Sequence, residues 1–141
     1  LDVIAALLLA GHEVVAYDPI AADHVRAYFG LEVGSGSASA RKAGVPPPPS
    51  SFDSRPEASV LEAAQTHLHF SEDMYDVLRD CDAVVLCTEW KFFRSPDFER
   101  MKSVMRSPVV FDGRNQYESE TLREKGFTYI SVGRAPVLGT S

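Results

Sequence analysis

The chain has 141 residues, 45% of them hydrophobic, enough to build the core of one compact domain. Its formal net charge is −6, and a polyanionic partner needs a basic surface, so nucleic acid and anionic membranes are excluded as general partners. A small phosphate ligand stays open, because it needs only one or two well-placed cations.

Residues 1–10 are good helix formers, apolar apart from Asp2, and Gly11 stands where helices commonly end. The run is too short to cross a bilayer and lacks the basic leader and cleavage pattern of a signal peptide. There is no initiator Met, and the chain opens inside this helix, so we expect a piece of a longer protein. Residues 13–18 predict a strand. Asp18-Pro19 then reads as an N-cap followed by proline at the first helical position. Val25, Tyr28 and Phe29 form the apolar stripe of that helix, which Gly30 closes.

Residues 34–59 break the alternation with Gly-Ser pairs and four consecutive prolines, Pro46, Pro47, Pro48 and Pro49. Such a composition buries too little apolar area to offset its ordering entropy, so a flexible surface insertion is expected. Capture of a partner domain by the prolines is one use of such a segment. Residues 60–64 predict a helical turn and 66–70 a short strand. His67 and His69 share one face of that strand, a spacing that also suits a metal. No carboxylate or cysteine partner is apparent nearby, so two solvated histidines are expected and no metal site is assigned. Ser71 is the expected cap of a short helix with Glu72 and Asp73 in its first turn.

Residues 82–87 predict a strand apolar on both faces, as at the centre of a parallel sheet, with Cys87 as a small buried residue. Cys81 and Cys87 are too few for a disulfide framework and fit no zinc or redox spacing, which points to a reduced, cytoplasmic setting. The next loop, residues 88–94, holds Trp90, Phe92, Phe93, Lys91 and Arg94. Its aromatics either cover helix ends or, beside Lys91 and Arg94, form part of a nucleotide site. Ser95-Pro96 is read as a second cap-and-proline helix start, with Phe98, Met101 and Met105 as the buried stripe.

Residues 108–115 are the pivot of the chain: a strand that ends in Asp112, Gly113, Arg114 and Asn115. Open parallel sheets bind ligands at the carboxyl ends of their strands. Arg114 offers a planar fork of donors suited to a phosphate, and it equally suits an ordinary pairing with a surface carboxylate. Residues 119–125 predict a helix, 127–132 a last strand, and 135–141 a tail. The alternation implies an α/β fold: a Rossmann-like parallel sheet with helices on both faces, lacking its first strand, which would precede residue 1. A single domain over residues 1–134 is expected. The chain carries no Gly-x-Gly-x-x-Gly, no phosphate-binding loop and no nucleophile signature, so no catalytic or cofactor-binding residue is assigned.

Five segments, in order, carry a resemblance: Leu1-Asp2-Val3-Ile4; Tyr17-Asp18-Pro19; residues 88–98, opening Thr88-Glu89-Trp90; Phe111-Asp112-Gly113-Arg114-Asn115; and Gly126-Phe127 through Val132-Gly133-Arg134. Together they resemble the C-terminal UDP-binding domain of the UDP-glucose/GDP-mannose dehydrogenase family, in its UDP-glucose 6-dehydrogenase branch. The resemblance implies a two-step, NAD-dependent oxidation of UDP-glucose to UDP-glucuronate by a homo-oligomer. It also implies that the NAD-binding domain, the catalytic cysteine and the dimerisation helix lie outside these residues, and that Cys81 and Cys87 do not replace that cysteine. Arg114 matches the family's substrate-binding arginine; Trp90 and Lys91 are near-site candidates by position. The alternative is a stand-alone nucleotide-sugar-binding or regulatory module without catalysis.

Overall fold

The computed structural model describes residues 1–31 and 56–139, so most of the expected insertion, including Pro46 to Pro49, lies outside the described residues. The chain divides into two compact units, Leu1–Glu72 and Asp73–Ser141. Each is built on a parallel sheet flanked by helices, the Rossmann-like α/β class that the alternation predicts.

The first unit contains α1 (Asp2–Leu9), β1 (Val14–Ala16), α2 (Ala22–Tyr28), α3 (Ala58–His67) and β2 (Leu68–Phe70). β1 and β2 pair in parallel, from Val14 opposite Leu68 to Ala16 opposite Phe70. Leu8, Phe29, Val60, Ala64 and Leu68 form the buried core. Gly11 leaves α1 at φ 81°, a left-handed turn that glycine makes without steric cost.

Three expectations change here. The Asp18 carboxylate accepts the N–H groups of Ile20 and Ala21 at 2.9 and 2.8 Å, and α2 begins only at Ala22. Pro19 therefore lies inside the capping turn rather than at the first helical position. α3 is ten residues long where a single turn was expected, because Val60 and Ala64 bury one face of an alanine-bearing segment. It also absorbs Thr66 and His67, which leaves only Leu68–Phe70 for the strand.

The second unit contains β3 (Val84–Leu86), α4 (Phe98–Val104), β4 (Val109–Asp112), α5 (Ser119–Glu124) and β5 (Thr128–Ser131). Its sheet is parallel, in the order β3-β4-β5. Leu86, Met101, Met105, Val110, Leu122, Phe127 and Tyr129 belong to one buried cluster, which holds the predicted methionine stripe. The opposite face is open: Val85 and Phe111 are register partners, and each is 40% exposed. Strand 82–87 is thus buried on one face only and lies at an edge of this sheet. Cys87, one residue beyond β3, is exposed rather than buried.

Carboxylates also displace two predicted hydroxyl caps. Asp97, not Ser95, accepts the Arg100 N–H at the start of α4. Asp73, not Ser71, accepts from Tyr75 and Asp76 ahead of a 3-10 turn at Asp76–Leu78. A charged acceptor makes the stronger bond to a free N–H, and both Asp residues stand closer to the turn they cap. After Arg134 the chain doubles back. Val137 and Tyr129 exchange antiparallel backbone bonds of 2.8 and 3.0 Å. Gly139 then packs so tightly that a Cβ there would lie 2.4 Å from the Gly126 carbonyl oxygen.

Candidate functional site

β3, β4 and β5 run parallel, so the loops after them open on one edge of the sheet. That edge carries residues 88–94, 113–117 and 132–134, and their geometry is set from below by Asp112. Asp112 is the last residue of β4 and is almost wholly buried. Its Oδ1 accepts the Arg114 N–H at 2.9 Å. Its Oδ2 accepts the N–H groups of Gln116 and Tyr117 at 2.7 and 3.1 Å and the Tyr129 hydroxyl at 2.8 Å. A buried carboxylate is tolerated only when its lone pairs are so filled. Here it winds the backbone after β4 into a tight loop with Arg114 on it.

Gly113 at the base of this loop serves a close approach. Its N–H donates to the Leu86 carbonyl at 3.0 Å, and a Cβ would stand 3.1 Å from that same oxygen. The glycine brings β4 up to the end of β3 rather than clearing space for a ligand.

Two neighbouring amides then tie the three loops together. Asn115, at φ 53°, gives its Nδ2 to the Val132 carbonyl and takes the Val132 N–H on Oδ1, both at 3.0 Å. Gln116 reaches the other way, and its Nε2 donates to the Thr88 carbonyl at 2.6 Å. Tyr117 adds a hydroxyl bond to the Phe93 carbonyl at 2.6 Å. Burial raises the Tyr117 phenol above its ordinary range and does the same, less strongly, to Tyr129, so both donate as neutral hydroxyls. Arg134 Nη1 donates to the Tyr117 carbonyl at 3.2 Å.

Arg114 stands between these ties, its side chain about half exposed. Its Nε lies 3.3 Å from Glu89 Oε1. Among the described residues the guanidinium donates no hydrogen bond, so its terminal NH2 groups stay available to a ligand. The ordinary reading, a surface ion pair, is therefore realised in the free chain, and the ligand reading is left room beside it. Trp90 and Lys91 follow Glu89 directly in the same loop. The Trp90 ring lies parallel to that of Phe92, with centroids 6.3 Å apart, and Phe92 is exposed. Lys91 opens a 3-10 turn, Lys91–Phe93, and makes no ion pair among the described residues. Sequence reasoning found Arg114 but not Glu89, Asn115 or Gln116. The signal for the last two was their polarity directly after a strand end, where side-chain amides can substitute for backbone partners.

The cysteines do not form a reactive pair. The Cys81 thiol donates to the Val77 carbonyl at 3.1 Å, and burial pushes its pKa up, away from the thiolate. In the first unit, the two histidines expected to be solvated have exposed side chains, but they have a carboxylate partner that was not apparent in the sequence. Glu13 bridges them, with Oε1 2.5 Å from His67 Nδ1 and Oε2 3.2 Å from His69 Nε2. Glu13 was missed because it lies 54 residues upstream of His67 and reaches it only through the pairing of β1 with β2. Among the described residues no group of three or more His, Cys, Asp or Glu is arranged to hold a metal ion, and no helix is long and apolar enough to cross a membrane.

Parallel sheets flanked by helices define the class, a Rossmann-like α/β domain, and such sheets bind ligands at the carboxyl ends of their strands. The chain belongs to the UDP-glucose/GDP-mannose dehydrogenase family: the family model for its UDP binding domain matches residues 1–119. UDP-glucose 6-dehydrogenase of Pseudomonas aeruginosa is 36% identical over 129 residues, which is 92% of this chain and 22% of that protein. UDP-glucose 6-dehydrogenase TuaD of Bacillus subtilis is 29% identical over 140 residues, or 99% of this chain and 23% of its own length. A third relative, UDP-glucose 6-dehydrogenase of Rhizobium meliloti, is 42% identical over 67 residues, 48% of this chain and 15% of that protein. The chain thus spans less than a quarter of the length of these curated relatives.

Proposed function

We propose that this chain is the UDP-sugar-binding part of a UDP-glucose 6-dehydrogenase, which oxidises UDP-glucose to UDP-glucuronate in two NAD-dependent steps. On this reading residues 1–134 form the UDP-binding domain, and Arg114 holds the substrate, with Trp90 and Lys91 beside it. The full-length enzyme is read as a cytoplasmic homo-oligomer. The observation that carries the proposal is Arg114 itself, a half-exposed guanidinium just past the carboxyl end of β4 whose ion pair, with Glu89, is made through Nε and leaves the terminal NH2 groups exposed to a ligand. UDP-glucose brings two phosphate charges to it, and a charge-assisted contact of this kind contributes about 1.5–3 kcal/mol.

On this reading NAD is bound mainly by parts of the enzyme outside these residues. In the turn after β1 the N–H groups of Ile20 and Ala21 are taken by the Asp18 carboxylate, as in a capped helix start. The domain binds and positions; oxidation requires residues that the relatives' greater length leaves room for. By itself the chain is expected to be inactive.

In the full-length enzyme, Arg114→Ala should raise the KM for UDP-glucose at least tenfold while the KM for NAD changes less than threefold. Steady-state kinetics with each substrate varied in turn measures both. An equal or NAD-selective loss would count against the assignment.

A further inference from the structure

We propose that Glu89 is a specificity-determining residue of this site, accepting a hydrogen bond from a sugar hydroxyl of the same ligand whose phosphate Arg114 holds. The inference deepens the reading of Arg114 as a phosphate ligand and rests on it. Glu89 and Arg114 lie on the loops after neighbouring parallel strands, and both side chains are about half exposed, so they face the same solvent. Their separation is built rather than incidental. Gln116 holds the Thr88 carbonyl, the residue before Glu89, at 2.6 Å, while Asp112 fixes the Arg114 backbone N–H. The two loops cannot drift apart without breaking these bonds.

The chemistry of the pair is complementary. Arg114 meets Glu89 through Nε, the inner edge of the guanidinium, which leaves the terminal fork for a phosphate. A bare carboxylate beside a diphosphate would repel it, and the arginine beside Glu89 offsets that charge. A carboxylate is an acceptor only, and its second oxygen, on a half-exposed side chain, is open to a hydroxyl donor. Hydroxyls are the donors that a nucleotide sugar offers in number, and acidic side chains at strand ends of α/β domains bind ribose hydroxyls in this manner. An anion-plus-hydroxyl ligand matches the pair; a simple phosphate matches only Arg114. The hydroxyl belongs either to the hexose or to the ribose, and the ligand series below separates them.

The test is calorimetric titration of the full-length protein, wild type, Glu89→Ala and Glu89→Gln, with UDP-glucose, UDP and inorganic pyrophosphate. Loss of one hydrogen bond to a charged group should weaken UDP-glucose about tenfold in Glu89→Ala, and less in Glu89→Gln, whose amide oxygen still accepts. Pyrophosphate should bind Glu89→Ala as well as wild type, or up to about threefold more tightly, because a repelling charge is gone. If UDP weakens as UDP-glucose does, the hydroxyl is the ribose's; if UDP is unaffected, it is the hexose's. Equal weakening of all three ligands would reduce Glu89 to a support for Arg114 and overturn the inference. So would equal tightening, which would make Glu89 a mere competitor. Wild-type protein that binds UDP-glucose without any contribution from Arg114, tested with Arg114→Ala, would overturn the underlying reading and the inference with it.

Discussion

Replacing Asp112 with Ala would strand the backbone N–H groups of Arg114, Gln116 and Tyr117 and leave the Tyr129 hydroxyl only the Tyr117 carbonyl as acceptor. Unsatisfied buried donors are costly, so Asp112→Ala should lower the unfolding free energy by about 3 kcal/mol or more. Tyr129→Phe removes only one of the donors and should cost about 1–1.5 kcal/mol. Chemical denaturation ranks the two; a smaller loss for Asp112→Ala than for Tyr129→Phe would contradict the central role given to the carboxylate. Glu13 provides a pH prediction. The hydrogen bond from His67, with smaller contributions from both histidine charges and from the bond to His69, holds its carboxyl below the ordinary value of 4.5. A folded-state pKa that is depressed adds stability above the unfolded value, and this is lost as pH falls through the folded value, hence below 4.5. Carboxyl NMR titration should show Glu13 titrating below 4.5 and moving back towards it in His67→Ala. An unchanged titration in the variant would show that the contact does not form. Neither residue's role was readable from local sequence. Asp112 looked like one polar residue of a strand end, and Glu13 finds its histidines only through a parallel pairing of distant segments.

Elements were legible where periodicity speaks and misread where capping chemistry competes. β4, α5 and β5 fall within the predicted segments because apolar runs and glycine stops mark them. The starts of α2 and α4 shifted because the prolines at 19 and 96 sit ahead of the helices, and because Asp97 rather than Ser95 caps the latter. α3 was underestimated, since its boundary falls in a stretch whose composition read as irregular. The loop after β4 carries its own prediction. Asn115→Gly keeps the positive φ but loses both bonds to Val132, whereas Asn115→Ala loses the bonds and strains the backbone. If UDP-glucose binds as proposed, both should weaken its binding, and Ala should destabilise the fold more than Gly in thermal melts. The reverse order would mean that the left-handed turn is not held as described. At the sheet edge, Gly139→Ala forces a Cβ onto the Gly126 carbonyl. It should cost about 1–3 kcal/mol by overpacking, or release residues 135–139 to rapid amide exchange. A neutral variant with protection intact would contradict the packing of that segment.

For the whole molecule, alternating helices and strands were enough to predict a parallel α/β fold. What they could not predict was the division into two units, each with its own core. An apolar strand looks the same in sequence whether one or both of its faces are covered, and so β3 was read as central although Val85 and Phe111 face outward. The acidic net charge bears on the ligand as well. A −6 chain attracts a dianionic nucleotide sugar only where cations are placed locally, so on the proposed reading recognition is concentrated in the loops around Arg114. Hydrogen–deuterium exchange of the full-length protein, with and without UDP-glucose, measures this most directly. New protection is expected in peptides covering residues 88–94 and 112–117, absent in Arg114→Ala. Tight UDP-glucose binding that leaves both segments unprotected would contradict it.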